Sequence, residues 1–269
     1  MENDLLFTPT QHAVVGHAFA VALGAHIVGF LYFLSRSGQV APRFRTSTWL
    51  SMAVMAASGY LFLRLGSSWD TAFVQDGSRM VPTGNRFDGA LRYVNWFVTV
   101  PVLLVQVLYA FDLARPAVQR LRVLLVSSGV LMVLCGYVGQ FSAGRDDGTL
   151  LLWGALGTPP FLVLLALLLP QLLRARTSLP PEAAVTARNM VFVFLFFWGL
   201  YPIAYLLPAI SATPTTAVTA QVLFTAADIG SKVLYGVMLA KICRVRSAAE
   251  GFEPALASSP HLGGTVTKR

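Results

Sequence analysis

An ionisable pair stands inside the last apolar stretch of this chain. Asp228-Ile229-Gly230-Ser231-Lys232 interrupts residues 217–243, and no other charge follows until Lys241. A charge at that depth in a membrane-type helix is costly and marks a functional site. Four residues separate the two groups, so on a helix the carboxylate lies one turn from the amine, on the same face. Two chemistries suit them. One is a structural ion pair between packed helices. The other is a lysine amine that holds an aldehyde through a Schiff base. The spacing alone leaves both open.

A second polar set recurs in the third apolar stretch. Arg92, Asn95, Thr99 and Gln106 follow one another at steps of 3, 4 and 7, which puts them on one stripe of a helix. In lipid such a stripe faces the bundle interior or a polar cavity. Asn, Thr and Gln are accounted for by hydrogen bonds between helices. Arg92 is harder to account for, because a buried guanidinium needs an anionic partner.

The elements that must position these residues are membrane helices. The 269 residues are 55% hydrophobic and only 12% charged, with a mean hydropathy of +0.64. Seven segments long enough to span a bilayer are expected at 11–35, 46–67, 87–111, 118–142, 149–173, 187–209 and 217–243. The expected fold is all-α, a seven-transmembrane helix bundle over residues 11–245. A short extracellular segment, 1–10, precedes it, and a disordered cytoplasmic tail, 246–269, follows. The acidic start Met1-Glu2-Asn3-Asp4 lacks the basic region of a signal peptide.

Placing the N-terminus outside puts 14 of the 20 Lys and Arg residues on the cytoplasmic side, Arg36, Arg43, Arg115, Lys268 and Arg269 among them. The net charge of +8 therefore reports topology and not nucleic-acid binding. Cys135 and Cys243 fall in different spans and suggest neither a disulfide nor a metal site. His12, His17 and His26 lack metal-ligand partners at suitable spacing and read as packing or boundary residues. Nothing in the pattern points to an enzyme.

Taken together, the motifs resemble the microbial rhodopsins. Arg92-Tyr93-x-Asn95-Trp96-x-x-Thr99-x-Pro101 is similar to their third helix, and Asp228-x-x-x-Lys232 to their seventh, whose lysine binds retinal. The sixth stretch agrees with Trp198-x-x-Tyr201-Pro202-x-x-Tyr205, the fourth with Met132 and Gly136-Tyr137, and the fifth with Trp153-Gly154-x-x-Gly157-Thr158. The resemblance implies all-trans retinal as a protonated Schiff base on Lys232, with Asp228 as counterion. It implies a retinal pocket of Trp96, Val100, Met132, Gly136, Gly157, Thr158, Trp198, Tyr201, Pro202 and Tyr205. It also implies a multi-pass protein of the bacterial inner membrane, surrounded by lipid and assembled as a trimer or pentamer. Val100 departs from the threonine usual in archaeal pumps, and Tyr205 from a common tryptophan. Leu103 is similar to the residue that accompanies green absorption. Gly154 replaces a large aromatic found in many relatives and implies a window for a carotenoid antenna, as in xanthorhodopsin-like proteins.

The resemblance also bears on the cargo. Proton pumps of the family carry a carboxylate at the position of Asn95 and usually another acid at that of Gln106. Sodium pumps carry Asn, Asp and Gln at the three positions. Asn95, Thr99 and Gln106 form the combination of the light-driven inward chloride pumps of bacteria. The residues argue the same way on charge. Of the 12 acidic residues only Asp228 lies well inside a span. Two core cations, Arg92 and protonated Lys232, then face one carboxylate, and an uncompensated buried charge is strongly unfavourable.

A chloride or other halide near Asn95 and Thr99 is expected to restore the balance, with the Asn95 amide and the Thr99 hydroxyl as donors, an unprotonated Schiff base or an internal water cluster being the alternative. Gln106 is expected to be a neutral transport gate, Arg92 to lie on the entry path, and release to use the basic first loop around Arg43. Ser58 is expected to bond its own backbone, a place near the anion being the alternative. A sodium pump and a sensory photoreceptor are the rival readings.

Overall fold

The computed structural model describes residues 2–111, 113, 119–141 and 147–254. Its helices begin where threonine and proline dictate. Ahead of α1 (Pro9–Arg36), Thr8 Oγ1 accepts from the Gln11 amide at 3.1 Å, while Gln11 Oε1 accepts from the Thr8 amide at 2.9 Å. Thr213 and Thr216 repeat this reciprocal cap ahead of α7 (Pro214–Asp228). Proline also starts α2 (Pro42–Ala72) and α6 (Pro181–Ile210), where its missing N–H costs nothing. The remaining early spans are α3 (Ala90–Ala110), α4 (Gln119–Phe141) and α5 (Asp147–Ala175). The seventh is one rod of 36 residues, Pro214–Ala249. It consists of α7, a π-helical turn at Ile229–Leu234 and α8 (Tyr235–Ala249).

Among the described residues, seven helices are therefore long and apolar enough to cross a membrane, as expected. Most overrun the expected limits, because hydropathy registers the stretch in hydrocarbon while a capped helix continues into the polar interface. α2 runs on through Ser67, Ser68 and Asp70, and α6 begins at Pro181 instead of 187. The tail starts later than residue 246, since α8 extends to Ala249 and Ser247 is buried with its hydroxyl on the Cys243 carbonyl (2.7 Å). The rest of the expected tail, from 255, lies outside the described residues, as does Arg115. Arg43 lies not in a loop but in the first turn of α2, where it pairs with Glu250 and packs over Phe44.

A hairpin of β1 (Phe73–Asp76) and β2 (Arg79–Pro82) joins α2 to α3, antiparallel with Phe73 opposite Pro82. Its turn carries Gly77 at φ +56, a left-handed conformation that suits glycine. Strands of four residues leave no periodicity to read, so the sequence pattern does not announce them. Phe7 bridges to Met80 and packs its ring edge on Trp69 (5.2 Å) and Phe73 (5.1 Å).

Each helix packs on its sequence neighbours, and α1 closes the ring against α7. α3 and the seventh span are the most enclosed, with 61% and 56% of their apolar windows buried against 11% for α5. The two helices that carry the polar residues are thus the ones turned inward. Lipid-facing α5 needs no hydrophobic partner, since lipid solvates leucine as well as protein does.

Candidate functional site

Lys232 and Asp228 meet in the middle of this interior. They are 1% and 0% exposed and form a direct ion pair. The turn that carries Lys232 is π-helical, a wound-out geometry found often at functional sites. A β-carbon on Gly230 would run into the ring of Phe197, so glycine there is what lets α6 press against the π turn. Asp228 Oδ1 accepts two further bonds, from Trp96 Nε1 at 2.9 Å and from the Tyr201 hydroxyl at 2.6 Å. Tyr201 in turn shares a bond of 2.8 Å with Ser231. Neither the Trp96 contact nor the Tyr201 contact is visible in the spacing, because both cross between helices. Asp228 Oδ2 has no partner.

Lys232 also reaches a cavity with about 820 Å³ of empty space, counted out to its mouth. Its walls include every residue expected to line a chromophore: Trp96 and Val100 from α3, Met132 and Gly136 from α4, Gly157 and Thr158 from α5, and Trp198, Tyr201, Pro202 and Tyr205 from α6. Gly154 lies on the same wall. Tyr93, Val133, Phe161 and Phe224 line it too, although the sequence singled out none of them for this role. Their signal was aromatic or apolar spacing, which packing also explains. Trp96 and Tyr201 meet edge to face at 4.9 Å, and Phe161 lies parallel to Trp198 at 6.4 Å. Small residues keep the space open. A β-carbon at Gly136 would come within 3.0 Å of the Tyr93 ring, and one at Gly157 within 3.2 Å of Cys135 Cβ. A primary amine with a carboxylate partner, at the wall of a cavity lined by aromatic rings, fits a long conjugated aldehyde.

The polar stripe of α3 is buried as expected: Arg92 at 2%, and Asn95, Thr99 and Gln106 at 0%. The partners differ from expectation. Ser58 does not bond its own backbone; its hydroxyl donates across to Asn95 Oδ1 at 3.0 Å. Asn95 Nδ2 remains without a partner. Thr99 is not the free donor expected, because its hydroxyl is given to the Asn95 carbonyl one turn back at 2.8 Å, a common bond for threonine in helices. Gln106 Nε2 donates to Ser51 at 2.5 Å, and its Oε1 is unpartnered.

Arg92 packs its guanidinium 4.9 Å from the Phe224 ring centre and 5.8 Å from that of Phe19. Its Nε and Nη2 find no acceptor. Among the described residues Asp228 is the one buried carboxylate, against the two buried cations. His26 is a packing residue, with Nδ1 on the Ala22 carbonyl (2.7 Å) and its ring tilted on Phe62. Cys135 and Cys243 are buried free thiols.

A model of bacteriorhodopsin-like proteins matches residues 13–245. Bacteriorhodopsin of Halobacterium salinarum is 28% identical over 243 residues, which is 87% of this chain and 87% of that one. The crystal structure of xanthorhodopsin, a light-driven ion pump with dual chromophore, superimposes with a TM-score of 0.85 at 34% identity, over 92% of this chain and 99% of that one. A thermophilic rhodopsin gives a TM-score of 0.86 at 30% identity with the same coverage. Seven apolar spans among the described residues, an amine in an aromatic cavity and these likenesses agree: the chain belongs to the bacteriorhodopsin-like family and is a multi-pass membrane rhodopsin, of the kind that binds retinal and couples light to ion movement.

Proposed function

We propose that this rhodopsin is a light-driven pump that carries chloride or another halide inward, with its N-terminus outside and retinal held by Lys232. The observation that carries the reading is the imbalance in the core. Arg92 and Lys232 are both buried, Asp228 is their single buried counter-charge among the described residues, and N–H groups of Asn95 and Arg92 lack acceptors. A buried donor left unsatisfied costs about 1–3 kcal/mol, and an unmatched buried charge costs more. One bound anion supplies the missing charge and accepts from those donors.

Lys232 would hold retinal as a protonated Schiff base between Trp96, Trp198 and Tyr201, and the bound group would supply a light-driven isomerisation. The chain does the rest. Asp228 Oδ1 is already occupied by Trp96, Tyr201 and Lys232, which fixes the carboxylate beside the Lys232 nitrogen as its counter-charge. Neither Asn95 nor Thr99 can take that proton as a carboxylate would. The Asn95 amide and the Arg92 guanidinium hold the anion on the entry side. Thr99 joins them only by releasing the Asn95 carbonyl. Gln106, 11 residues on, lies about 16 Å further along α3. Tied to Ser51 through a neutral amide, it lets an anion pass without trapping it.

Cells carrying the retinal-loaded protein should alkalinise their medium in light. A protonophore should enhance the effect, and replacing chloride by sulfate should abolish it. Alkalinisation that needs sodium but not chloride would make the protein a sodium pump. Acidification would make it a proton pump, and no light response in any salt would favour a sensory photoreceptor. Thr99→Asp should eliminate chloride transport; if transport survives, the site is misplaced.

Gly154 supports a second chromophore, a carotenoid antenna. A β-carbon there would press the Tyr205 ring at 3.0 Å, so glycine leaves the half-buried cavity wall without a side chain over that ring. An added hydroxylated carotenoid should then appear in the fluorescence excitation spectrum of retinal, and no such transfer from several carotenoids would remove the idea.

A further inference from the structure

Three residues close the bundle at the N-terminal end. Glu2–Asp4 form one 3-10 turn. Asn3 ties it to the approach of α3, accepting the Phe87 amide on Oδ1 (2.6 Å) and donating Nδ2 to the Phe87 carbonyl (3.2 Å). Glu2 reaches the opposite wall, where Gln221 of α7 donates Nε2 to its Oε1 at 3.0 Å. Gln221 is 3% exposed, and its own Oε1 is unpartnered. Its carbonyl accepts from Thr225 one turn inward at 2.7 Å. On that same turn is Phe224, the ring beside the Arg92 guanidinium. From the mouth inward, the face of α7 therefore presents Gln221, then Phe224 against Arg92, then Asp228. Glu2, bonded to Gln221, stands about one turn of α7 outward of the contact between Phe224 and Arg92.

We infer that the Glu2–Asn3 turn is an entry gate, a hydrogen-bonded clasp from α3 to α7 whose carboxylate competes with the incoming anion for Arg92. The inference rests on the anion reading above. A carboxylate at the mouth of an anion path repels the cargo. Here it serves as counter-charge to Arg92 while the path is empty, and as a barrier to leakage once the anion has passed. Its bond to Gln221 joins a carboxylate to a neutral amide and not to a second charge, so no ion pair has to break for the clasp to open there.

The test is a sodium chloride titration of the purified, retinal-loaded protein in sulfate, read from the absorption maximum. Glu2→Gln keeps an acceptor for Gln221 and removes the charge; it should bind chloride roughly fivefold more tightly. Asn3→Ala undoes both bonds to Phe87 and keeps the charge; after a flash, its chloride-dependent recovery should run about threefold faster at the same chloride concentration. Asp76→Asn, on the exposed hairpin turn, removes an equal charge elsewhere and should leave the affinity as it was. A Glu2→Gln protein with wild-type or weaker affinity overturns the gate while leaving the anion reading intact. A wild-type spectrum indifferent to chloride overturns both. If the Asn3→Ala pigment does not assemble, Glu2→Gln alone decides.

Discussion

The two sides of the buried polar core are satisfied to different degrees. On the side of α7, Asp228 Oδ1 receives bonds from Lys232, Trp96 and Tyr201, and Tyr201 is itself held by Ser231. On the side of α3, Asn95 Nδ2 and two guanidinium nitrogens of Arg92 find no acceptor among the described residues. Both sides are equally removed from water, so exposure does not explain the contrast. The more fully bonded side, where only Asp228 Oδ2 lacks a donor among the described residues, fixes the lysine in one position, as a covalent chromophore requires. The unsatisfied side is prepared for a partner that comes and goes. Native cores rarely leave buried donors orphaned, so an orphan pair in a cavity-bearing protein points to a guest.

That comparison can be broken in order of expected effect. Lys232→Ala should abolish visible pigment on addition of retinal while the helical fold persists; a coloured variant would place the linkage elsewhere. Asn95→Asp should weaken the chloride-dependent shift in absorption by about a hundredfold, because a carboxylate there repels the anion and withdraws the donor. Tyr201→Phe should lower the melting temperature of the pigment by a few degrees, the consequence of losing bonds worth about 1–2 kcal/mol. The contrast between the two sides fails if Tyr201→Phe alters chloride affinity as much as Asn95→Asp does. Arg43→Gln should change stability by less than about 1 kcal/mol, since its pair with Glu250 is solvent-exposed. A larger loss of transport than of stability in that variant would restore Arg43 to the release path.

Much of this was legible in the residues. Lys232 and Asp228 lie four apart on one helix, a relation that local geometry alone enforces. Every residue expected at the cavity wall lines it. Relations between helices were not legible. Ser58 turns to Asn95 and not to its own backbone, and Trp96 reaches Asp228, because helix rotation sets these contacts and hydropathy does not encode it. Thr99 went the other way. A free hydroxyl was expected, but a local bond satisfied it first. The hairpin after α2 escaped notice for want of length.

By itself the sequence determined seven spans, the inward stripe of α3 and the ion pair of the last helix, because each follows from composition or from a spacing that repeats every turn. Only the tertiary structure decided which donors that pair would collect, which would stay empty, and that Glu2, 226 positions before Asp228, would bond to Gln221 on the same helix as that pair. Those outcomes depend on how helices are rotated and how far they approach. That is settled by the packing of whole faces, down to a glycine at 230 that lets Phe197 approach, and not by any one segment alone.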